Sequence, residues 1–130
     1  MNDDNPGALI GFIRRWGPTL LVVVLIFLFS SIPSRQIPRF GAVDLLVKKG
    51  AHAFGYGLLA AALWYGLRWK KRLWWLALVL AALYAATDEL HQSFVPGRHP
   101  SPVDVGIDSA GAAISIAICA FVKVARRKQT

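Results

Sequence analysis

Several ionisable residues of this chain fall within otherwise apolar stretches, at spacings that gather them by face. Lys49, His52 and Tyr56 are three and four apart, so on a helix they share one face. Asp88, His91 and Gln92 do the same, with Glu89 on the flank. Asp104 and Asp108 are four apart, and Gly111, Ala112 and Ser115 extend their face with small side chains that let helices approach closely in lipid. Arg98 stands between the last two groups, in the loop VPGRHPSP. Arg98 and Lys49 suit a phosphate or carboxylate group. His52, Asp88 and Glu89 have the chemistry of a general acid and base. Asp88, His91, Asp104, Asp108 and His52 together offer nitrogen and oxygen donors to a metal, but no HExxH or CxxC pattern supports one. The plainest alternative is mutual pairing, Arg98 or Lys49 with Asp104 or Glu89 and His52 with Asp88. Such pairs fasten helices at about 0.6–2 kcal/mol each.

The elements that must position these residues are apolar blocks. The chain has 130 residues, 55% of them hydrophobic, with a formal charge of +8. A membrane-spanning helix takes about 20 residues, so four would use most of the chain. The spacing of apolar blocks predicts helices over about 16–32, 45–69, 73–94 and 102–122, in one domain over 16–125. A tail over 1–15 precedes it and a basic tail over 126–130 follows. The first block could pass for a secretory signal. No A-x-A cleavage pattern follows it and Pro33 ends it, so an uncleaved anchor is expected. In the fourth, Ser101 as N-cap, Pro102 at the first position and Asp104 three after the cap form a capping-box pattern.

The third block is short on apolar residues. From Leu73 to Ala86 it offers about 14 residues, or about 21 Å of helix, against a hydrocarbon core about 30 Å thick. Asp88 and Glu89 are therefore expected in the outer part of a membrane, facing a partner or a water-filled space. The second and fourth blocks carry their ionisable residues in the turns that start from the same side. Three antiparallel neighbours thus place these groups at one depth. An ion path would need polar residues through the other half too, where Ser115 and Thr87 are almost alone.

Charge sets the expected orientation. Of the 15 Lys and Arg, ten fall before the first block, between the second and third, or after the fourth. Both termini are then expected in the cytoplasm, with the polar cluster near the outer leaflet. Dispersal of the basic residues at block ends argues against nucleic acid as a partner. Trp64, Tyr65, Trp69, Trp74 and Trp75 are expected to form an interfacial belt on the cytoplasmic side. Cys119 is alone, so no internal disulfide is possible, and a packing role is expected.

The segment KKGAHAFGY resembles the Lys-x-x-His-x-x-x-Tyr motif of VanZ-like membrane proteins, matched at Lys49, His52 and Tyr56. TDELHQSFVPGR followed by SPVDVGIDSAG is similar to that family's second signature. The matches are Asp88, Glu89, Gln92, Pro96, Gly97, Arg98, Ser101, Asp104, Asp108 and Gly111. His91 occupies a position where the family often has another residue. The family is named for a protein associated with resistance to the glycopeptide antibiotic teicoplanin.

The expectation is an all-α integral membrane protein, a four-helix multi-pass bundle of the cytoplasmic membrane. Its candidate acid–base residues are His52, Asp88 and Glu89. Its candidate ligand-binding residues are Lys49, Tyr56, Gln92, Arg98, Asp104 and Asp108, with no metal ligands assigned and no cofactor indicated. Membrane lipids are the expected partners, and an anionic lipid or lipid-linked cell-envelope precursor is the expected ligand. Helix fastening and metal binding are the alternatives.

Overall fold

The computed structural model describes residues 6–128, and these are helical with no strand among them. Four helices follow in chain order: α1 Pro6–Ser30, α2 Asp44–Gly66, α3 Trp74–Gln92 and α4 Pro102–Arg127. Single 3₁₀ turns at Ser34–Gln36, Gly41–Val43 and Lys71–Leu73 interrupt the connections. The first two fall in the loop whose prolines exclude longer helix.

Hydropathy marks where an apolar run begins, not where a helix does. So α1 starts ten residues ahead of the expected position, carrying Arg14 and Arg15 inside it, and most of the expected N-terminal tail is helix. Likewise α4 runs on through Arg126 and Arg127 of the expected basic tail. Residues 1–5 and 129–130 of those tails lie outside the described residues. At the other extreme, α2 stops at Gly66, short of the expected Trp69. There Arg68 and Trp69 take left-handed φ values of 57° and 54°, which turn the chain into α3.

Contacts at both ends give the helix directions. Ser30, at the end of α1, meets Asp88 and Gln92 at the end of α3. Lys49 near the start of α2 meets Asp104 near the start of α4. At the opposite end Arg15 reaches the Gly66 carbonyl and Lys123 the Trp69 carbonyl. The bundle therefore runs up, down, up, down, with one polar end and one tryptophan-rich end.

α2 is the central element and touches each of the other three. Its Tyr56, Leu59, Ala60, Leu63 and Trp64 meet Ala77, Ala81 and Ala85 of α3 and Ala112 and Ile116 of α4 in the buried core. Where α2 crosses α4, a Cβ on Gly111 would stand 2.2 Å from the Ala53 carbonyl oxygen, so only glycine permits this approach. The small residues expected to bring these helices close do so.

Large apolar side chains cover the outside instead: Leu20, Leu28, Leu83, Ile114 and Phe121 are all exposed. A soluble monomer does not present such a surface. Three helical stretches, Gly7–Ser30, Lys71–Gln92 and Pro102–Arg127, are long and apolar enough to cross a membrane. α2, the expected fourth, falls short of that composition. Its first turns carry Asp44, Lys48, Lys49 and His52, while Phe54 and Leu58 further along remain exposed.

The expected aromatic belt needs one correction. Trp64 is buried, 3% exposed, with its indole N–H donating to the Lys70 carbonyl and Lys123 over its ring. Tyr65, Trp74 and Trp75 do stay exposed.

Candidate functional site

The polar residues of α2, α3 and α4 meet at the polar end around a cavity of about 230 Å³. Lys49, His52, Glu89, Gln92, Arg98, Asp104 and Asp108 all line it, as does Lys48. Of the residues named from sequence, Tyr56 and Asp88 are not on its wall.

Local structure explains why each side chain arrives there. Val95-Pro96-Gly97-Arg98 is a tight turn closed by the Arg98 N–H on the Val95 carbonyl at 3.1 Å. Proline at its second position and glycine at its third, at φ +75°, give it type II character. The turn rests on the loop after α1: the Ser34 N–H donates to the Pro96 carbonyl at 3.3 Å, and Ser34 Oγ donates to the Gly97 carbonyl. Arg98 is thereby aimed back at the bundle. Its Nε donates to the Ile32 carbonyl at 3.2 Å and its terminal nitrogen to the Phe29 carbonyl at 3.0 Å.

The start of α4 is capped from two helices. Ser101 Oγ accepts from the Val103 N–H at 3.2 Å, with Pro102 at the first position, as its pattern predicts. The reciprocal half of a capping box is not made by Asp104, which pairs with Lys49. Glu89 of α3 takes that part, its Oε2 accepting from the Ser101 N–H at 3.0 Å.

Of the pairings expected from sequence, Lys49 with Asp104 is made and His52 with Asp88 is not. His52 Nδ1 lies 3.5 Å from Asp108 Oδ2, not beside Asp88. That oxygen is buried without a hydrogen bond, and so is the Tyr56 hydroxyl. Asp88 faces α1 instead, accepting from Ser30 Oγ at 2.7 Å and, within its own helix, from the Gln92 amide at 3.1 Å. His91 sits beside Ser31 Oγ, its Nε2 2.9 Å away. Ser30, Ser31 and Ser34 were not anticipated as part of the cluster. Their only signal is a serine pair closing an apolar run, which reads equally well as a helix end.

Cation partners are unequal. Lys49 pairs with Asp104, and Lys48 pairs with Asp44 at 2.7 Å. Arg98 has no carboxylate partner among the described residues; its two hydrogen bonds go to carbonyls, leaving the rest of its five N–H groups for other acceptors. Burial draws its guanidinium below the ordinary arginine value, while Asp88 and Glu89 act in the opposite sense. Starting from so high a value, it remains a cation at neutral pH. Among the described residues no three His, Cys, Asp or Glu side chains converge as metal ligands.

An all-helical chain with apolar outer faces and an ionisable cavity at one end belongs to the class of small helical membrane proteins. Residues 14–123 match the VanZ/LLP1 family, and the chain belongs to it. No curated protein and no solved structure matches it.

Proposed function

We propose that this protein binds the anionic headgroup of a membrane lipid in its polar cavity, with Arg98 holding the phosphate or carboxylate. The observation that carries this reading is the state of Arg98: charged, fixed by two carbonyls, half-buried, and in ion-pair contact with no carboxylate among the described residues. Guanidinium N–H groups set in this way match an oxyanion bidentately. Glu89 and Asp108 on the same wall offer acceptors to hydroxyl or amine groups of the headgroup. His52, with Asp108 beside it, is the group placed to take a proton from a bound headgroup. Asp88, held by Ser30 and Gln92 away from the cavity, is not.

In this reading all four helices cross the cytoplasmic membrane, both termini are cytoplasmic, and the cavity lies in the outer leaflet. The distribution of Lys and Arg supports that orientation. A lipid-linked envelope precursor fits the site there.

Native mass spectrometry with hexadecyl phosphate and hexadecanol, which share a chain and differ in charge, tests the reading. The phosphate is expected to bind preferentially. Arg98→Gln should weaken it at least tenfold, about 1.4 kcal/mol, and Arg98→Lys should weaken it less. Equal binding of the two amphiphiles, or an unchanged Arg98→Gln, would overturn it.

Helix fastening is the second reading, because the bonds of Ser30 with Asp88 and Gln92, the Lys49–Asp104 pair and the Glu89–Ser101 bond each join different helices or loops. The two readings part on stability, as developed below.

A further inference from the structure

A second space adjoins the cavity. A groove of about 450 Å³ runs between α1 and α2, lined from Val22 to Ser30 on the first helix, by Ile32, Gln36, Ile37 and Pro38 in the loop after it, and from Lys48 to Leu58 on the second. Ten residues of helix cover about 15 Å, which is half of a hydrocarbon core about 30 Å thick and so the depth of one leaflet. The walls are apolar, and Gly55 leaves the floor open: a Cβ there would meet only Ile26, at 3.7 Å. Phe29, Phe54 and Leu58 on its walls are exposed, so the groove opens sideways.

Its charges are one-sided. Among the described residues, Lys48 and Arg98 are the only Lys, Arg, Asp or Glu on its wall. Both stand at one end, and together with His52 they also line the polar cavity. The buried Tyr56 hydroxyl, without a hydrogen bond, belongs to the same wall. Lys48 is paired with Asp44, so an apolar slot one leaflet deep, with Arg98 as its unpaired cation at one end and no acid on its own wall, is complementary to an anionic amphiphile. A groove that follows two adjacent helices for the depth of one leaflet has the shape of a single extended chain.

We infer that the groove between α1 and α2 holds the single hydrocarbon chain of an anionic amphiphile whose headgroup sits in the polar cavity. This rests on the headgroup reading above and adds the chain, its number and its route, which is sideways from the bilayer between α1 and α2.

The test uses hexadecyl phosphate with a diazirine in mid-chain, added to the protein in phosphatidylcholine nanodiscs. Butyl phosphate serves as a competitor with the same headgroup and almost no chain. Crosslinks are expected on α1 between Val22 and Phe29 and on α2 between Ala51 and Leu58. The double variant Ala51→Leu, Gly55→Leu fills the slot without touching Arg98. It should lower hexadecyl phosphate labelling at least tenfold and leave butyl phosphate binding unchanged. An unchanged thermal unfolding temperature would show that the variant folds. Labelling that survives in the double variant but falls in Arg98→Gln would keep the headgroup site and overturn the groove. Butyl phosphate competing as well as unlabelled hexadecyl phosphate would likewise overturn it, since the ligand would then be a free phosphate. Labelling indifferent to Arg98→Gln would overturn both readings, leaving an apolar slot without selectivity.

Discussion

Asp88 and Asp108 are both almost wholly buried, 4% and 1% exposed, yet their surroundings are opposite. Asp88 receives hydrogen bonds from Ser30 and Gln92, whereas Asp108 Oδ2 has none. Removing Asp88 strands a hydroxyl and an amide in the interior, so Asp88→Ala should cost about 1–3 kcal/mol. Asp108→Asn removes a buried charge whose desolvation is poorly offset; it should leave stability unchanged or raise it, as a functional group held at a cost to the fold does. Thermal unfolding in detergent separates the two. A loss at both positions would favour fastening over binding. At this scale the sequence shows faces and not partners. Spacing of three and four says that Lys49, His52 and Tyr56 share a face, but not which carboxylate His52 meets. That depends on how α4 is rotated against α2, which packing at Gly111 decides and no single helix reveals.

Among the elements, the crossing of α2 over α4 sets the cavity's width. Gly57 belongs to the same contact, since a Cβ there would lie 3.2 Å from the Gly111 carbonyl oxygen. Gly111→Ala would drive a methyl group into backbone, which cannot rotate away. It should destabilise by about 1–3 kcal/mol and weaken headgroup binding as the two helices part. Gly106, on the same helix with nothing near its missing Cβ, is the control. Gly106→Ala should be neutral or stabilising by up to about 1 kcal/mol. Equal effects of the two, measured as unfolding temperature, would mean that helix propensity and not close approach governs the site. The crossing was legible because small residues continue the aspartate face of α4. The helix ends were not, because α1 and α4 carry basic turns that hydropathy assigns to tails. Trp64 was misplaced for a related reason: an aromatic near a helix end reads as interfacial until a neighbouring helix, here α4 with Lys123, is seen to cover it.

For the whole molecule, the open matter is whether α2 crosses the membrane with its neighbours. Its composition alone does not say so, but its contacts constrain it. Arg15 of α1 bonds the Gly66 carbonyl at the end of α2, while the groove pairs the last turns of α1 with the first turns of α2. The two helices therefore lie side by side over much of their length, and a bilayer that takes in α1 takes in α2. The loops at the polar end are joined as well, through Ser34 and Pro96. Arg39 and His99, both exposed, should thus emerge on one side and exposed Lys70 on the other. In the orientation proposed above, Lys70 is on the cytoplasmic side, as expected of the end richer in Lys and Arg. With Cys119→Ser as background, a membrane-impermeant maleimide should label Arg39→Cys and His99→Cys in intact cells, and Lys70→Cys only after permeabilisation. Labelling of Lys70→Cys alone in intact cells would invert the bundle and put the cavity in the inner leaflet. Arg39→Cys behaving like Lys70→Cys would mean that α2 does not cross, and the groove would then lose its second wall within the bilayer.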